Sequence, residues 1–261
     1  MRDGILDRYR FWFGAYCRSF AAVRPEDQQN YGLKEDHTYR VGENALLIAG
    51  GLGMEDREKD LAAAIGLFHD VGRFPQYRDY GTFRDSASKN HAVLGAKALL
   101  DAGVLGDLPR EERNLIVHAV TLHNVFTLPP GLPPRTLLHS RIIRDADKLD
   151  IWRVFIDILE LPPDDRPTAA GLGLPETGAY SPEILPLLER REMIRLTQLN
   201  TLNDFKLLQL AWVYDLNFLP SLRLLRDRNL IARLAATLPR TREIKIAVNA
   251  VQHYVNDRLK G

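Results

Sequence analysis

The groups in this sequence with the most chemistry to offer are its seven histidines and a few aspartates that stand in apolar surroundings. One histidine is followed directly by an aspartate, in the stretch Gly66-Leu67-Phe68-His69-Asp70-Val71-Gly72-Arg73. Neighbouring His and Asp side chains near a helix end can offer a nitrogen and an oxygen to one ion. Such mixed ligands suit Mn, Fe, Co, Ni or Zn better than Ca. A single His-Asp pair is common by chance, so it indicates a metal site only in company.

Two other stretches supply that company. His37 lies in the helical segment Glu35-Asp36-His37-Thr38-Tyr39-Arg40-Val41. Downstream, Arg144-Asp145-Ala146-Asp147-Lys148-Leu149-Asp150 places acidic residues inside an otherwise apolar helix. Burying a carboxylate there costs several kcal/mol unless it is paired or bound to a metal. An ordered set His, His-Asp, Asp, each part on a different helix, therefore indicates a metal centre.

The elements that must position these residues are helices. Apolar residues recur at three-to-four spacing and alternating stretches are scarce, so the sequence predicts an all-α fold. Gly50, Gly51 and Gly53 are typical of a helix end rather than of a phosphate-binding loop, since neither a preceding strand nor a Walker lysine is present. Helices are predicted over 4–23, 34–49, from Asp56 through Phe68, 88–100, 109–124, 135–161, 201–216, 220–238 and 242–260, with a loop over 74–86.

The ordered set resembles the HD superfamily of metal-dependent phosphohydrolases. The resemblance implies that His37, His69, Asp70 and Asp147 are the primary metal ligands. Asp147 is preferred because Ala146-Asp147-Lys148-Leu149 matches the family's Ala-Asp-x-Leu pattern, with Asp145 as the alternative. Wider similarity, to prokaryotic HD-domain proteins without an assigned substrate, covers about residues 30–160 and rests on His69–Phe74, Tyr80–Phe83, Asn90–Ala92, His123-Asn124 and Ile143–Asp150.

Two more histidines resemble the extra ligands of dinuclear members of the superfamily. They are His91, in Asn90-His91-Ala92, and His123, in Leu122-His123-Asn124. The resemblance implies that Asp70 bridges two ions, which lie about 3.5–4 Å apart in two-metal sites. His118 is five residues before His123, about 140° away around a helix, so both are not expected at one ion. His118, His139 and His253 are predicted to lie outside the centre.

The implied activity is hydrolysis of a nucleotide or another phosphoester, as a phosphomonoesterase or phosphodiesterase. Asp70 or Asp150 could orient the attacking water, and Arg73 and Lys148 could assist through their charge. Phosphate recognition is assigned first to Arg73, then to Lys89 and Lys148, and less firmly to Arg78 and Arg84. Tyr80 and Phe83 could stack on a base or pack the loop down.

Two other functions are left open. Dinuclear relatives that bind iron and activate O₂ have a compatible ligand set, so a di-iron oxygenase is one alternative. The other is a non-catalytic nucleotide-binding regulatory module, which the complete set of expected ligands disfavours. The sequence lacks the Gly-Tyr-Pro element of the cyclic-di-GMP phosphodiesterases and the synthetase region of the (p)ppGpp enzymes.

Composition limits the class of protein. In 261 residues, 45% are hydrophobic and 26% charged, which is typical of a globular chain. The formal charge of +1 gives no support for duplex nucleic acid as a partner. The single Cys17 and the lack of a signal-like or membrane-spanning run predict a cytoplasmic protein.

The predicted organisation is an HD-domain helical core with an N-terminal helix over 1–160, a Pro/Gly-rich loop or linker over 161–186, and a C-terminal helical extension over 187–261 packed on the core. The expected cofactor is one or two divalent transition-metal ions, with Mg a candidate for a second site. The expected partner is a small phosphorylated substrate. Because aromatic residues crowd the N-terminal helix, that helix could belong to the core or form the face of a homodimer.

Overall fold

The computed structural model describes residues 4–20, 24–162 and 173–260. The described residues form helices and no strand, so the predicted all-α class is confirmed. The chain divides into two compact units, Met1–Asp150 and Ile151–Gly261. This division falls inside a helix, ten residues before the end that the sequence predicted for the core.

Among its described residues, the first unit contains six α-helices and the start of a seventh. They are α1 (Ile5–Arg18), α2 (Pro25–Gly51), α3 (Asp56–Phe68), α4 (Arg73–Tyr80), α5 (His91–Asp101), α6 (Arg110–Leu122) and α7 (Pro134–Leu159). Helix α7 continues across the division into the second unit. The predicted helix end at the Gly-rich stretch is confirmed, because α2 runs to Gly51 and Gly53 turns the chain with a φ of 70°.

Helices α2 and α3 approach each other closely because two glycines face each other at their crossing. A Cβ added to Gly66 would lie 2.7 Å from the Cα of Gly42. The contact leaves no space for a side chain, and it brings the backbone of the His-Asp turn next to the helix that carries His37. Asn44 adds a hydrogen bond of 3.1 Å from its Nδ2 to the carbonyl of Ala146 on α7.

The aromatic residues of α1 belong mainly to the core of this unit. Tyr9 and Phe13 are buried, and their rings lie 5.0 Å from Phe68 and 6.0 Å from Phe74, centroid to centroid. Phe11 is the exception, with 75% of its surface exposed. The end of the predicted helix, at residues 21–23, lies outside the described residues. Cys17 is a buried free thiol, whose pKa burial raises.

In the part of the second unit that the structure describes, the end of α7 is followed by five further α-helices. They are α8 (Leu185–Glu189), α9 (Leu202–Ala211), α10 (Leu219–Asp227), α11 (Leu230–Ala236) and α12 (Arg242–Lys260). Every residue of α9 is buried, so this helix lies at the centre of the unit. The predicted helix over 220–238 is divided, because Asn229 adopts a left-handed conformation with a φ of 53°. Residues 163–172 of the predicted linker lie outside the described part of the chain.

The predicted loop over 74–86 was wrong in its first half. Residues Arg73–Tyr80 form α4, which ends at Gly81 with a φ of 63°. Phe74 and Gln76 are fully buried on its inner side. The repeated polar residues hid this helix from the sequence pattern, because only one turn of it faces the core.

Candidate metal centre

The six residues predicted as metal ligands meet in the first unit. Three overlapping groups have candidate ligand atoms within 4.8 Å of one another: His37 with His69 and Asp70; His69 with His123 and Asp147; and Asp70 with His91 and His123. They come from α2, the turn after α3, the start of α5, the residue after α6, and α7. Their ligand roles stay predictions, but the fold brings all six together.

The carboxylate of Asp70 lies between two sets of histidines. Its Oδ2 is 3.7 Å from Nε2 of His37 and 3.7 Å from Nε2 of His69. Its Oδ1 is 3.3 Å from Nε2 of His91 and 3.9 Å from Nε2 of His123. The two oxygens of one carboxylate therefore face different pairs of imidazoles, which is the arrangement that a carboxylate bridging two ions requires.

Asp147, on α7, completes the group formed by His37, His69 and Asp70. Its Oδ1 lies 3.1 Å from Nε2 of His37 and 3.6 Å from Nε2 of His69. Asp145 is fully buried, and Asp147 is the aspartate whose oxygen reaches these two rings. The side chain of Asp147 is 19% exposed, whereas the four histidine side chains are 5% exposed or less, so the centre opens to solvent on the side of Asp147.

Each imidazole is oriented through its Nδ1. His37 Nδ1 lies 2.8 Å from Asp150, His69 Nδ1 2.7 Å from the carbonyl of Gly66, and His123 Nδ1 2.7 Å from the carbonyl of Val120. An Nδ1–H that donates to such an acceptor leaves Nε2 with a free lone pair directed inward. All three acceptors act behind the rings, on the nitrogen that does not face the centre.

Asp85 performs the same task for His91, and the sequence analysis did not select it. Both carboxylate oxygens of Asp85 lie 2.8 Å from His91 Nδ1. The same carboxylate accepts hydrogen bonds from Gln76 Nε2, at 2.8 Å, from Asn124 Nδ2, at 3.1 Å, and from Arg73 Nη1, at 3.1 Å. Asp85 thereby joins α4, α5 and the end of α6. Nothing in its local sequence marks this position, because the turn of the chain between α4 and α5 is what brings Asp85 to these partners.

The inward nitrogens fit a bound cation. His69 Nε2 is buried and has no hydrogen-bond partner among the described residues. Nε2 of His91 and Nε2 of His123 lie 2.9 Å apart, although each ring already directs its Nδ1 to an oxygen acceptor. Two neutral imidazoles oriented in this way point lone pairs at each other, which a shared metal ion between or beside them would relieve. The His and Asp donors are those that divalent transition metals prefer.

The surroundings of the centre keep two of its histidines neutral and Asp70 ionised, which are the protonation states that bind a metal ion. Burial lowers the pKa of His123 to about 3, assisted by His91 and His69, and burial also lowers the pKa of His91, assisted by Arg73. Burial opposes ionisation of Asp70, but Lys34, His69 and Arg73 outweigh it and hold the pKa of that carboxyl well below its usual range. His91 and His123 are therefore neutral, and Asp70 is ionised, at neutral pH.

His37 differs from the other imidazoles. Burial lowers its pKa, but hydrogen bonds with Asp147 and Asp150 outweigh burial and raise the pKa to about 9. Burial opposes ionisation of Asp147, but the nearby imidazoles of His37 and His69 outweigh burial and hold the pKa of Asp147 well below the usual range. A divalent cation that entered this set would replace the proton of His37 as the partner of Asp147.

The residues predicted for phosphate recognition are placed unevenly. Arg73 is near the centre, with Nε 3.4 Å from Asp70 Oδ1, and its Nη1 donates to Gln76, to the carbonyl of Phe83 and to Asp85. Arg78 is exposed and pairs with the adjacent Asp79. Lys89, Arg84 and Tyr80 are exposed as well. Their substrate contacts stay predictions.

The two catalytic candidates on α7 face different surroundings. Asp150 is 1% exposed and binds His37 Nδ1, so it orients a ring rather than standing beside Asp70. Lys148 is 9% exposed, with its Nζ 3.5 Å from the carbonyl of Arg144. Arg144, also missed as a functional residue, donates to the carbonyls of Val125 and Phe126 and so fixes the chain that follows His123.

The remaining histidines lie outside the three groups, as predicted. His118 and His253 are exposed. His139 is buried, and its Nε2 lies 2.8 Å from Glu58. Within the described ranges, no helix is both long and apolar enough to span a membrane.

Comparison with known proteins agrees with this geometry. Residues 35–152 match the model of the HD domain family. Over 117 residues the chain is 30% identical to YueE of Bacillus subtilis (strain 168), which bears the provisional name phosphohydrolase. The match covers 44% of this chain and 60% of that relative. No solved structure matches the chain. The matched segment contains all six converging residues, and residues 35–152 therefore form an HD domain of the HD superfamily.

Proposed function

We propose that this protein is a metal-dependent phosphohydrolase that acts on a nucleotide or another small phosphoester. The observation that carries the proposal is the convergence of four imidazole Nε2 atoms and two ionised carboxylates on one buried centre, with the Nδ1 atom of every ring already held by an oxygen acceptor. Such preorganisation suits a resident ion, because a purely structural histidine cluster would use both ring nitrogens in hydrogen bonds, whereas Nε2 of His69 has no partner among the described residues.

Two ions fit the donor set better than one. His37, His69, Asp147 and Oδ2 of Asp70 would hold the first ion, and His91, His123 and Oδ1 of Asp70 would hold the second. Bound there, divalent ions lower the pKa of water and neutralise charge on phosphoryl oxygens. The protein orients the ligands through Asp150, Asp85 and two backbone carbonyls.

The surroundings of the centre favour an anionic substrate. Two cations, Lys34, 20% exposed, and Arg73, 16% exposed, reach solvent beside Asp70. The carboxylates of Asp147, 19% exposed, and Asp85, 32% exposed, reach solvent as well, and bound divalent ions would add positive charge beside them. Arg73 also holds the segment that carries Phe83, whose ring lies 4.7 Å from that of Tyr77. An aromatic pair beside cations suits a nucleotide, and the provisional name of the Bacillus subtilis relative supports a phosphoester in general.

The test is product formation from a panel of nucleotides and phosphoesters with Mn²⁺, for the wild type, Asp70→Ala and Asp101→Asn. Cyclic and diester substrates are followed by chromatography, since ring opening releases no free phosphate. Asp101 is exposed on α5 and pairs with Lys97, so its variant controls for loss of a surface carboxylate. We expect wild-type turnover that is retained in Asp101→Asn and reduced at least about a thousandfold in Asp70→Ala, because that variant loses a ligand of both ions.

A wild type that binds two Mn²⁺ ions and converts none of the panel would contradict the proposal. Iron content and O₂ consumption would then test the oxygenase alternative with the same variants. Full activity of Asp70→Ala would contradict any chemistry at this centre.

A further inference from the structure

A lysine on α2 contacts the centre, although sequence analysis did not select it. Lys34 precedes His37 by three residues, so the two side chains share a face of the helix. Its Nζ lies 2.8 Å from Oδ2 of Asp70. The same oxygen faces His37 and His69, each at 3.7 Å. The ammonium group therefore occupies the edge of the first predicted ion site.

Contacts on two sides hold this ammonium group in position. The Lys34 side chain is 20% exposed, and its Nζ lies 5.5 Å from the centroid of the Phe83 ring. Phe83 is in turn fixed, because its carbonyl accepts a hydrogen bond from Arg73 and its ring packs on Tyr77. The lysine stem thus lies between the centre and an anchored aromatic residue, which limits where its charge can move.

Lys34 has unused donors, and so has its neighbour Arg73, whose buried Nε makes no hydrogen bond to the described residues. Nη1 of Arg73 is committed to Gln76, Phe83 and Asp85. The three N–H groups of Lys34 make one hydrogen bond to the described residues, to Asp70. A divalent ion at Asp70 would compete with Lys34 for the carboxylate oxygen that the lysine contacts. The ammonium group would then lose most of its attraction to that carboxylate and be left at the mouth, next to the ion.

We propose that Lys34 is a substrate-binding residue whose ammonium group contacts a phosphoryl oxygen when a divalent ion occupies Asp70. This inference rests on the proposed phosphohydrolase function. It assigns a phosphate contact to the lysine of α2, and it leaves Nη1 of Arg73 to hold the Phe83 segment and Asp85. A lysine suits this task because its compact charge can follow an oxygen as the geometry changes.

The experiment measures binding of inorganic phosphate to Mn²⁺-loaded protein by calorimetry, so it does not depend on turnover. The variants are Lys34→Gln and Lys34→Met, which are neutral, and Lys34→Arg, which keeps the charge. Lys59→Gln is the matched control, because Lys59 is a similarly exposed lysine of the same unit, 29% exposed, that pairs with Asp56. Mn²⁺ binding and thermal melting are measured for every variant first.

We expect Lys34→Gln and Lys34→Met to keep the wild-type number of Mn²⁺ ions and to bind phosphate at least about tenfold more weakly, the loss of one charge-assisted hydrogen bond. Lys34→Arg should stay within about threefold of the wild type, and Lys59→Gln should match it. With a turned-over substrate, the neutral variants should raise KM more than they lower kcat.

Three results would overturn the inference. One is unchanged phosphate affinity in the neutral variants with their ions in place. Another is loss of Mn²⁺ or of folding in both neutral variants, since Lys34 would then serve to build the centre. The third is a Mn²⁺-loaded wild type that binds no phosphate. By contrast, a wild type without any turnover but with phosphate binding that depends on Lys34 would contradict the phosphohydrolase proposal and leave standing only the contact between Lys34 and a phosphoryl oxygen.

Discussion

The six predicted ligands depend on supporting residues that no sequence pattern marks. Asp85 is the clearest example, because one carboxylate orients His91 and also accepts hydrogen bonds from Gln76, Arg73 and Asn124. A hydrogen-bond acceptor behind a metal-binding imidazole fixes the ring and raises its basicity. Asp85 is therefore expected to control the second ion site without touching it.

Replacement of this carboxylate tests that role. Asp85→Ala should weaken binding of the second Mn²⁺ ion about 10–100-fold, the usual effect of removing such a partner. The first ion should bind as in the wild type, since His37, His69 and Asp147 make no described contact with Asp85. Mn²⁺ titration followed by electron paramagnetic resonance separates the two ions. If Asp85→Ala bound each of the two ions with the same affinity as the wild type, His91 would not need this partner.

The sequence predicted the residues of the centre better than their supports. His37, His69, Asp70, His91, His123 and Asp147 could be selected because a family pattern and their side-chain types both point to metal binding. Lys34, Asp85 and Arg144 could not be selected in that way, because their importance comes from contacts across the fold. Lys34 had one signal, its spacing of one helical turn from His37, and that signal is shared by many surface lysines.

At the scale of elements, the approach of α2 to α3 sets the distance between His37 and the His-Asp turn. Gly66→Ala should separate these helices, because its Cβ would meet Gly42 Cα at 2.7 Å and Gly42 N at 2.9 Å. We expect a loss of about 1–3 kcal/mol in the free energy of unfolding, as in other overpacked sites, together with weaker Mn²⁺ binding.

The matched control for this substitution is Gly32→Ala on α2. No atom lies within 4 Å of the Cβ that it adds, so it should leave Mn²⁺ binding unchanged and stabilise the helix by up to about 1 kcal/mol. Melting curves and Mn²⁺ titrations of the two variants decide the matter. A Gly66→Ala protein that behaves like Gly32→Ala would show that the crossing can relax without cost.

In the second unit, one buried carboxylate fixes the start of α9. Asp204 Oδ1 accepts from Ser181 N at 2.7 Å, and its Oδ2 accepts from Ser181 Oγ, Asn200 N and Thr201 N at 2.8, 2.9 and 3.0 Å. Burial raises the pKa of Asp204, but these hydrogen bonds outweigh burial and lower it below the usual value of 3.8. The charge therefore stabilises the fold.

Asp204→Asn should lower the free energy of unfolding by about 2–3 kcal/mol at pH 7, because an amide NH₂ group would replace one accepting oxygen and face other donors. A depressed folded-state pKa contributes stability above the unfolded value and loses it as the pH falls through the folded value. The difference from the wild type should therefore narrow below pH 4. Asp227→Asn, which removes an exposed partner of Arg226, is the control. A difference that stays constant from pH 7 to pH 3 would contradict a charged Asp204.

Sequence periodicity located most helices because their buried faces are long. It missed α4 and α8, whose few turns leave too short an apolar pattern, and it placed the start of α2 nine residues late, because Glu26, Asp27, Gln28 and Gln29 stand in a polar first turn after Pro25. The split between α10 and α11 could not be predicted, since it depends on the backbone conformation of one asparagine. Pattern methods respond to the extent of a buried face, whereas caps and short turns depend on contacts.

At the scale of the whole molecule, metal binding should couple to stability. A ligand that binds only the folded state adds about 2.7 kcal/mol at a concentration one hundred times its Kd. For a protein of this size, that corresponds to a rise of roughly 5–10 °C in the melting temperature. We expect Mn²⁺ and Co²⁺ to raise the melting temperature of protein that has first been stripped of metal with a chelator. Ca²⁺ should raise the melting temperature little, because four of the six donors are imidazoles and Ca²⁺ prefers oxygen. Asp70→Ala should abolish the rise while Asp101→Asn keeps it. A melting temperature that responds equally to Ca²⁺ and Mn²⁺, or a Mn²⁺ response that survives in Asp70→Ala, would place the bound ion elsewhere than at this cluster.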